Sequence, residues 1–449
     1  MALAPSSATA ERHSLSSLLG GSTLVFSCRV IGAIATFGTQ VLLARLLGAD
    51  ELGVYVIAFS WTLLLGALAE LGFGSAAIRF IPGAQANGDA ASLRGFLRGS
   101  CAAVAIGSTV FCSIGIAGAL VLEAIEPTTR HTPFIVASLM VPLMAFMFLF
   151  GSIANGFGWM AAAFVPSNVL RPVLAVAAMA VVWWFGHTLD VTSALLIQTG
   201  ALFVCLIGLI LLIRARTTTL KRTPPQYRTE LWVRTSLPLL VIGLLVSYFP
   251  DVTVLLLGAF LPSDQVGVFN AAYRIVLFIA FGLYSVDAWF MPAAARLHAE
   301  GDRASLQRVV MKVAKLRLLG ASLAVVALAA LGRQALGVFG EEFHAGYAAL
   351  VLLALAQLVQ AAVGPVTALL TVTGHQRRCL PPFASALGVL VLLITLLVPQ
   401  FGIEGAAASV LAVTVGWSTW LHKLARDHLG IRPSPLWPLR GVATATEQH

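Results

Sequence analysis

Long apolar runs separated by short polar stretches follow one another along almost the whole chain. Each run is continuous, without period-two alternation, and about 20 residues long, enough for a helix rising 1.5 Å per residue to cross roughly 30 Å of hydrocarbon. The pattern predicts twelve transmembrane helices, at about 20–44, 54–78, 99–122, 134–157, 164–186, 194–213, 237–260, 266–292, 316–332, 347–372, 383–400 and 403–421. A transmembrane barrel would need alternating lipid-facing and lumen-facing positions, and these runs do not alternate.

Two short stretches recur at a nearly constant interval. LLGADELGVY at 46–55 resembles FLPSDQVGVF at 260–269, an offset of 214, and GDAASL at 88–93 matches GDRASL at 301–306 in five of six positions, an offset of 213. Both matches join corresponding helices, so the chain reads as an internal duplication. The interval spans an even number of helices, which gives the repeats the same orientation in the membrane. The expected fold class is all-α: a polytopic membrane protein of about twelve helices in two six-helix lobes related by an axis along the membrane normal. The expected organisation is a leader at 1–19, an N-lobe at 20–213, a basic linker with Pro224-Pro225 at 214–236, a C-lobe at 237–421 and a tail at 422–449.

Composition agrees with lipid as the main solvent: 59% of the 449 residues are hydrophobic, 10% are charged and the mean hydropathy is +0.91. Charge then orients the helices. Of 28 Lys and Arg, only Arg45, Arg130 and Arg333 fall in loops on one side, and Arg29, Arg171 and Arg274 lie within spans. The rest, including the run Arg296, Arg303, Arg308, Lys312, Lys315 and Arg317 after the eighth span, gather on the other side, which the positive-inside rule makes cytoplasmic, with both termini. The net charge of +9 is read as this topology signal and attraction to anionic lipid headgroups, without nucleic-acid binding, since no loop is long enough for a basic soluble domain. The leader carries both signs of charge with no cleavage-type site, so the first helix is expected to stay in the mature protein. Cys28, Cys101, Cys112, Cys205 and Cys379 show no CxxC spacing, and neither a disulfide framework nor a metal site is expected.

RVIGAIATFGTQVLLARLLGADELGVYVIAFS at 29–60, DVTVLLLGAFLPSDQVGVFNAAYRI at 251–275, TVTGHQRR after the tenth span and GIEGAAAS at the start of the twelfth carry a resemblance. Together they resemble the polysaccharide-transporter branch of the multidrug/oligosaccharidyl-lipid/polysaccharide exporter superfamily. The resemblance implies a bacterial inner-membrane flippase that moves undecaprenyl-diphosphate-linked oligosaccharide, such as an O-antigen repeat unit, to the periplasmic leaflet by alternating access. Membrane lipids and polysaccharide-assembly proteins are the partners it implies. Two relatives stay open as alternatives, drug or organic-cation antiporters and lipid II flippases; the latter usually carry two further C-terminal helices, which the polar tail after 421 does not resemble.

Against that background the intramembrane charges become candidates. A charge at the bilayer centre costs about 2.5–3.5 kcal/mol on insertion scales, so each must be paired or face a cavity. Arg29 and Arg274 lie near mid-depth, and Arg171, in NVLRPVL, lies closer to the cytoplasmic face. Their guanidinium forks suit the substrate's diphosphate or sugar, and their alternatives are structural ion pairs or snorkelling. Glu70 and Asp287, toward the cytoplasmic ends of the second and eighth spans, are candidates for ion coupling or for pairing with a basic neighbour. Asp251 follows Pro250, which lacks the amide to bond the carbonyl of Val246, so a kink is expected with a carboxylate beside it. Such a spot suits a proton or sodium ion, or neutralises an arginine. Its counterpart at the 214 offset is Phe37, so the carboxylate belongs to one repeat only. No other cofactor is called for. A membrane glycan-processing enzyme is disfavoured, because His187 and His344 lie in short loops without a nucleophile at a recognisable spacing, and there is no P-loop.

Overall fold

The structure is a computed structural model describing residues 7–125, 131–186, 188–218 and 223–436, with side chains from Ser27 onward except at Arg29, Leu122, Ile242, Val246 and Gln376. Among the described residues every regular element is helical. Nine helices among the described residues are long and apolar enough to cross a membrane, or ten if one bent pair is a single span. Their outward faces carry apolar side chains in the open: Ile106, Trp184, Leu211, Leu323 and Val326 are all exposed. That is the surface expected when the surroundings are hydrocarbon. The protein is a multi-pass membrane protein.

Two helices contain glycine kinks where the hydropathy pattern separates spans. In α1 (Ser7–Ala69) Gly48 takes φ 77°, and in α14 (Leu380–Leu429) Gly402 takes φ 55°. Both values lie in the left-handed region that glycine enters without a Cβ clash. Elsewhere proline does the bending: α8 (Thr229–Ser247) and α9 (Phe249–Phe260) meet at 64°, where the Pro250 kink was expected. Likewise α12 (Tyr347–Ala362) and α13 (Val366–Val372) part at Gly364-Pro365.

The chain divides into two compact units, Met1–Leu255 and Leu256–His449. In the first, α4 (Thr132–Gly156) is the hub, packing on α1, α2 (Phe73–Ala86), α3 (Ala90–Ile125) and α7 (Val191–Arg216) through buried Ala137, Met140, Val141 and Ala145. The remaining elements of this unit are α5 (Met160–Val165), a π-turn at Pro166–Leu170, and α6 (Arg171–Trp184). The seventh span, assigned to the C-lobe by sequence order, also packs here: α8 lies on α1 and α2. In the second unit α10 (Ser263–Ala299), α11 (Arg303–Gly337), α12 and α14 pack around buried Phe269, Ala272, Leu350 and Leu390.

The repeated hexapeptide folds alike in both units. Gly88 and Gly301 take φ 64° and 72°, and the carboxylates of Asp89 and Asp302 accept the amides of Ser92 and Ser305 at 2.9 Å each. Each is a capped entry to a long helix, α3 or α11. The segment after the last helix of each half then folds onto that entry. Arg94 donates to the carbonyl of Thr223, and the amide of Gln226 donates to Ala91 at 3.0 Å. In the second unit the amide side chain of Gln307, at the position matching Arg94, brackets the backbone of Arg432, donating to its carbonyl at 2.9 Å and accepting its N–H at 2.7 Å.

Candidate functional site

The second span is predicted as one helix over 54–78, and the structure breaks it at Glu70-Leu71-Gly72. The amide of Leu71 bonds Leu68 at 3.1 Å, an i→i−3 tightening, and the amide of Phe73 then bonds Glu70 at 3.1 Å. Leu71 takes φ 55°, a left-handed conformation costly for a branched side chain, and Gly72 follows at φ 75°. The backbone of Ser236 and Leu240 in α8 presses on Gly72 so closely that a Cβ there would collide with the Ser236 carbonyl. Two interrupted spans, the second and the seventh, are therefore in backbone contact within one unit.

Oxygen-bearing side chains gather around these breaks. Half-buried Glu70 accepts the N–H of Gly74 and lies with the Ser152 hydroxyl over that glycine. Asp251, in the first turn of α9, accepts a hydrogen bond of 3.1 Å from the buried Ser60 hydroxyl of α1. Tyr248 stands at the bend itself, and its ring packs edge-on against Phe148 at 6.4 Å. Each break thus carries its own acid with a hydroxyl, Glu70 with Ser152 and Asp251 with Ser60, the two hydroxyls standing on α4 and α1. Broken helices with clustered oxygens are a setting in which a small cation or a proton is held.

Sequence reasoning singled out Glu70 and Asp251; it missed the hydroxyls beside them, Ser152 and Ser60. One signal for the first break is present in the sequence, two glycines in ELGFG at 70–74.

Asp287 sits apart, in the second unit. Arg317 Nη1 donates to both of its carboxylate oxygens, at 2.6 and 2.8 Å, and the two side chains are 15% and 4% exposed. This corrects the grouping of Arg317 with the basic run after the eighth span: it lies on the buried face of α11, two residues beyond Lys315 on the same helix. Tyr284 lies beside the pair and hydrogen-bonds Gln360.

The three arginine candidates have different settings. Arg171 leaves the π-turn and places its guanidinium 5.5 Å from the centre of the Phe59 ring, one residue before Ser60 on α1. The extra residue of a π-turn re-aims the side chains after it. In the second unit Arg274 has its Nε buried without a hydrogen-bond partner among the described residues. The side chain of Arg29 lies outside the described residues. All five cysteines are free thiols, and no group of three metal-ligating side chains occurs among the described residues.

Comparison with known proteins places this geometry in context. Among solved structures, an inward-facing multidrug-resistance MATE transporter of the MOP superfamily aligns with TM-score 0.74 and 14% identity, over 89% of this chain and 94% of the other. The lipid II flippase MurJ in an inward closed conformation aligns with TM-score 0.71 and 13% identity, over 91% and 87%. A MOP superfamily transporter from Pyrococcus furiosus, whose binding pocket is described as having reverse polarity, gives 0.63 and 13%, over 92% and 95%. At these identities the likeness is one of fold, and the neighbours are transporters and a flippase, not enzymes. No curated protein matches the sequence. The profile described as polysaccharide biosynthesis protein matches residues 18–298, more than half of the chain, from the first helix through the whole of α10 almost to its end, and the chain belongs to that family.

Proposed function

We propose that this protein is a flippase carrying an undecaprenyl-diphosphate-linked oligosaccharide, a surface-polysaccharide or O-antigen repeat unit, from the cytoplasmic to the periplasmic leaflet of the bacterial inner membrane. The observation that supports it most is the family match over 18–298 in a chain with the MOP transporter fold. Under this reading each glycine-kinked helix counts as two spans and the bent α8–α9 pair as one, which makes twelve, with both termini cytoplasmic. Alternating access carries the substrate. Arg29, Arg171 and Arg274 hold its diphosphate and sugar, and Asp251 and Glu70, at the two helix breaks, couple the cycle to a proton or sodium gradient. Asp287 is a charge-balancing residue, held by Arg317.

Organic-cation antiport is the second reading, favoured by the match to a MATE transporter. Arginines within the spans argue for an anionic substrate instead, since a guanidinium repels a cation and forks onto phosphate.

The test uses a strain lacking the chain, in which lipid-linked oligosaccharide should accumulate by mass spectrometry while surface polysaccharide disappears. The Arg29→Ala, Arg274→Ala double variant should reproduce that accumulation at normal membrane abundance, and full polysaccharide assembly by it would sink the cationic-cavity reading. In proteoliposomes Asp251→Asn should blunt the dependence of transport on a proton or sodium gradient. An unchanged gradient response removes Asp251 from the coupling step.

A further inference from the structure

We propose that the cavity between the start of α11 and the chain that follows α14 binds the phosphate head of an anionic membrane lipid. The cavity has a volume of about 540 Å³, and its lining includes Arg303, Arg308 and Arg432 but no carboxylate. The three arginines are exposed, and neither Arg303 nor Arg432 forms an ion pair among the described residues. Met311, Leu429 and Ile431 supply an apolar floor. Cationic forks above an apolar base match a lipid that presents phosphate and glycerol together, whereas a free anion would use only the forks.

The wall is built, not draped. Ile431 is 5% exposed and packs into the core formed by Leu306, Val310 and Phe290. Gln307 brackets the Arg432 backbone from both sides, so that guanidinium is carried on a pinned segment. The helix start does not itself offer a free anion site, because Asp302 already caps the Ser305 amide. The cations therefore have to come from the side chains.

The first unit provides an internal control. Beside its matching turn lies a smaller cavity, of about 270 Å³, lined in part by Arg79 and Arg228, and this one contains a carboxylate, Asp89. Asp89 stands 3.7 Å from Arg228. The capping carboxylate thus lines one cavity, whereas in the other Asp302 acts on Arg308 from outside the lining and leaves Arg303 and Arg432 to the ligand.

The experiment takes the full-length protein in phosphatidylcholine nanodiscs doped with labelled phosphatidylglycerol and measures retained lipid by native mass spectrometry. Wild type should keep phosphatidylglycerol in preference to phosphatidylcholine. Arg303→Gln with Arg308→Gln should lower that retention about tenfold, while Arg377→Gln with Arg378→Gln, equal in charge change, should leave it within about twofold. Equal loss in both pairs, or no preference in wild type, overturns the site in favour of general surface attraction. Millimolar inorganic phosphate should fail to displace the lipid; displacement would assign the cavity to a soluble phosphate and overturn the lipid. Unchanged thermal stability in the cavity pair separates lost binding from lost folding.

Discussion

The two halves share a turn and differ in the helix that leads to it. Gly88-Asp89 and Gly301-Asp302 repeat the same left-handed glycine and the same carboxylate cap. Upstream, the second span breaks at Glu70–Gly72, while α10 runs unbroken through the matching residues 283–286. The acids diverge in the same way. Glu70 and Asp251 lie among hydroxyls at interrupted helices, whereas Asp287 lies on a continuous helix under a buried arginine. Turn chemistry, which folding needs in both copies, has been kept. Helix continuity differs: the second span is interrupted at Glu70–Gly72 and α10 is not.

Breaking the closed acid site should have the largest effect. Arg317→Ala leaves Asp287 buried without its cation, and removing one partner of a buried pair costs about 3–5 kcal/mol. A thermal scan in detergent should show a large fall in Tm, and Asp287→Asn combined with Arg317→Gln should recover much of it. A fall no larger than that of a surface arginine variant would deny the pair a structural role.

Glycine substitutions sharpen the contrast in backbone. Gly72→Ala meets both a positive φ and the Ser236 carbonyl, and should destabilise by more than about 1 kcal/mol. Gly282→Ala, in the matching continuous helix with nothing near its Cβ, should be neutral or stabilise by up to about 1 kcal/mol. Similar Tm values for the two variants would remove the distinction.

The smallest effect is expected where the halves agree. Hydrogen bonding holds the Asp89 and Asp302 carboxyls below the usual carboxylate range: the Ser92 amide is foremost for the first, the Ser305 side chain and then its amide for the second. Folding lowers both pKa values, so the caps contribute fully above the ordinary Asp value of about 3.9 and lose their contribution as pH falls below it. Asp89→Ala and Asp302→Ala should each lower Tm slightly at pH 7, and the difference from wild type should shrink on acidification. Unequal losses would show that the two turns no longer do the same job.

The helical membrane spans and the Pro250 bend were legible because hydropathy and proline act locally. The Pro250 bend and the conspicuous Asp251 could be read from four consecutive residues. Glu70 was visible as an acid but its setting was not, since a break through Leu71 leaves no composition signal beyond two nearby glycines. Arg317 was misplaced because it ends a basic series whose earlier members are polar-facing, and only packing across thirty residues shows that it turns inward to Asp287. The approach of Arg171 to Phe59 crosses still more sequence and depends on a π-turn that a reading of hydrophobic period passes over.

The sequence offset puts the seventh span with the second of the two matching stretches, yet its first part, α8, packs in the first unit on the broken second span. The boundary expected from the sequence offset, at 214–236, and the boundary between the compact units, after Leu255, are therefore in different places. A chain cut in the linker near residue 220 would strand α8 on the wrong fragment, leaving the first with an uncovered face at Gly72 and Phe96. The halves of such a split protein would have to find one another to fold, and would act as a complementing pair instead of two independent membrane domains.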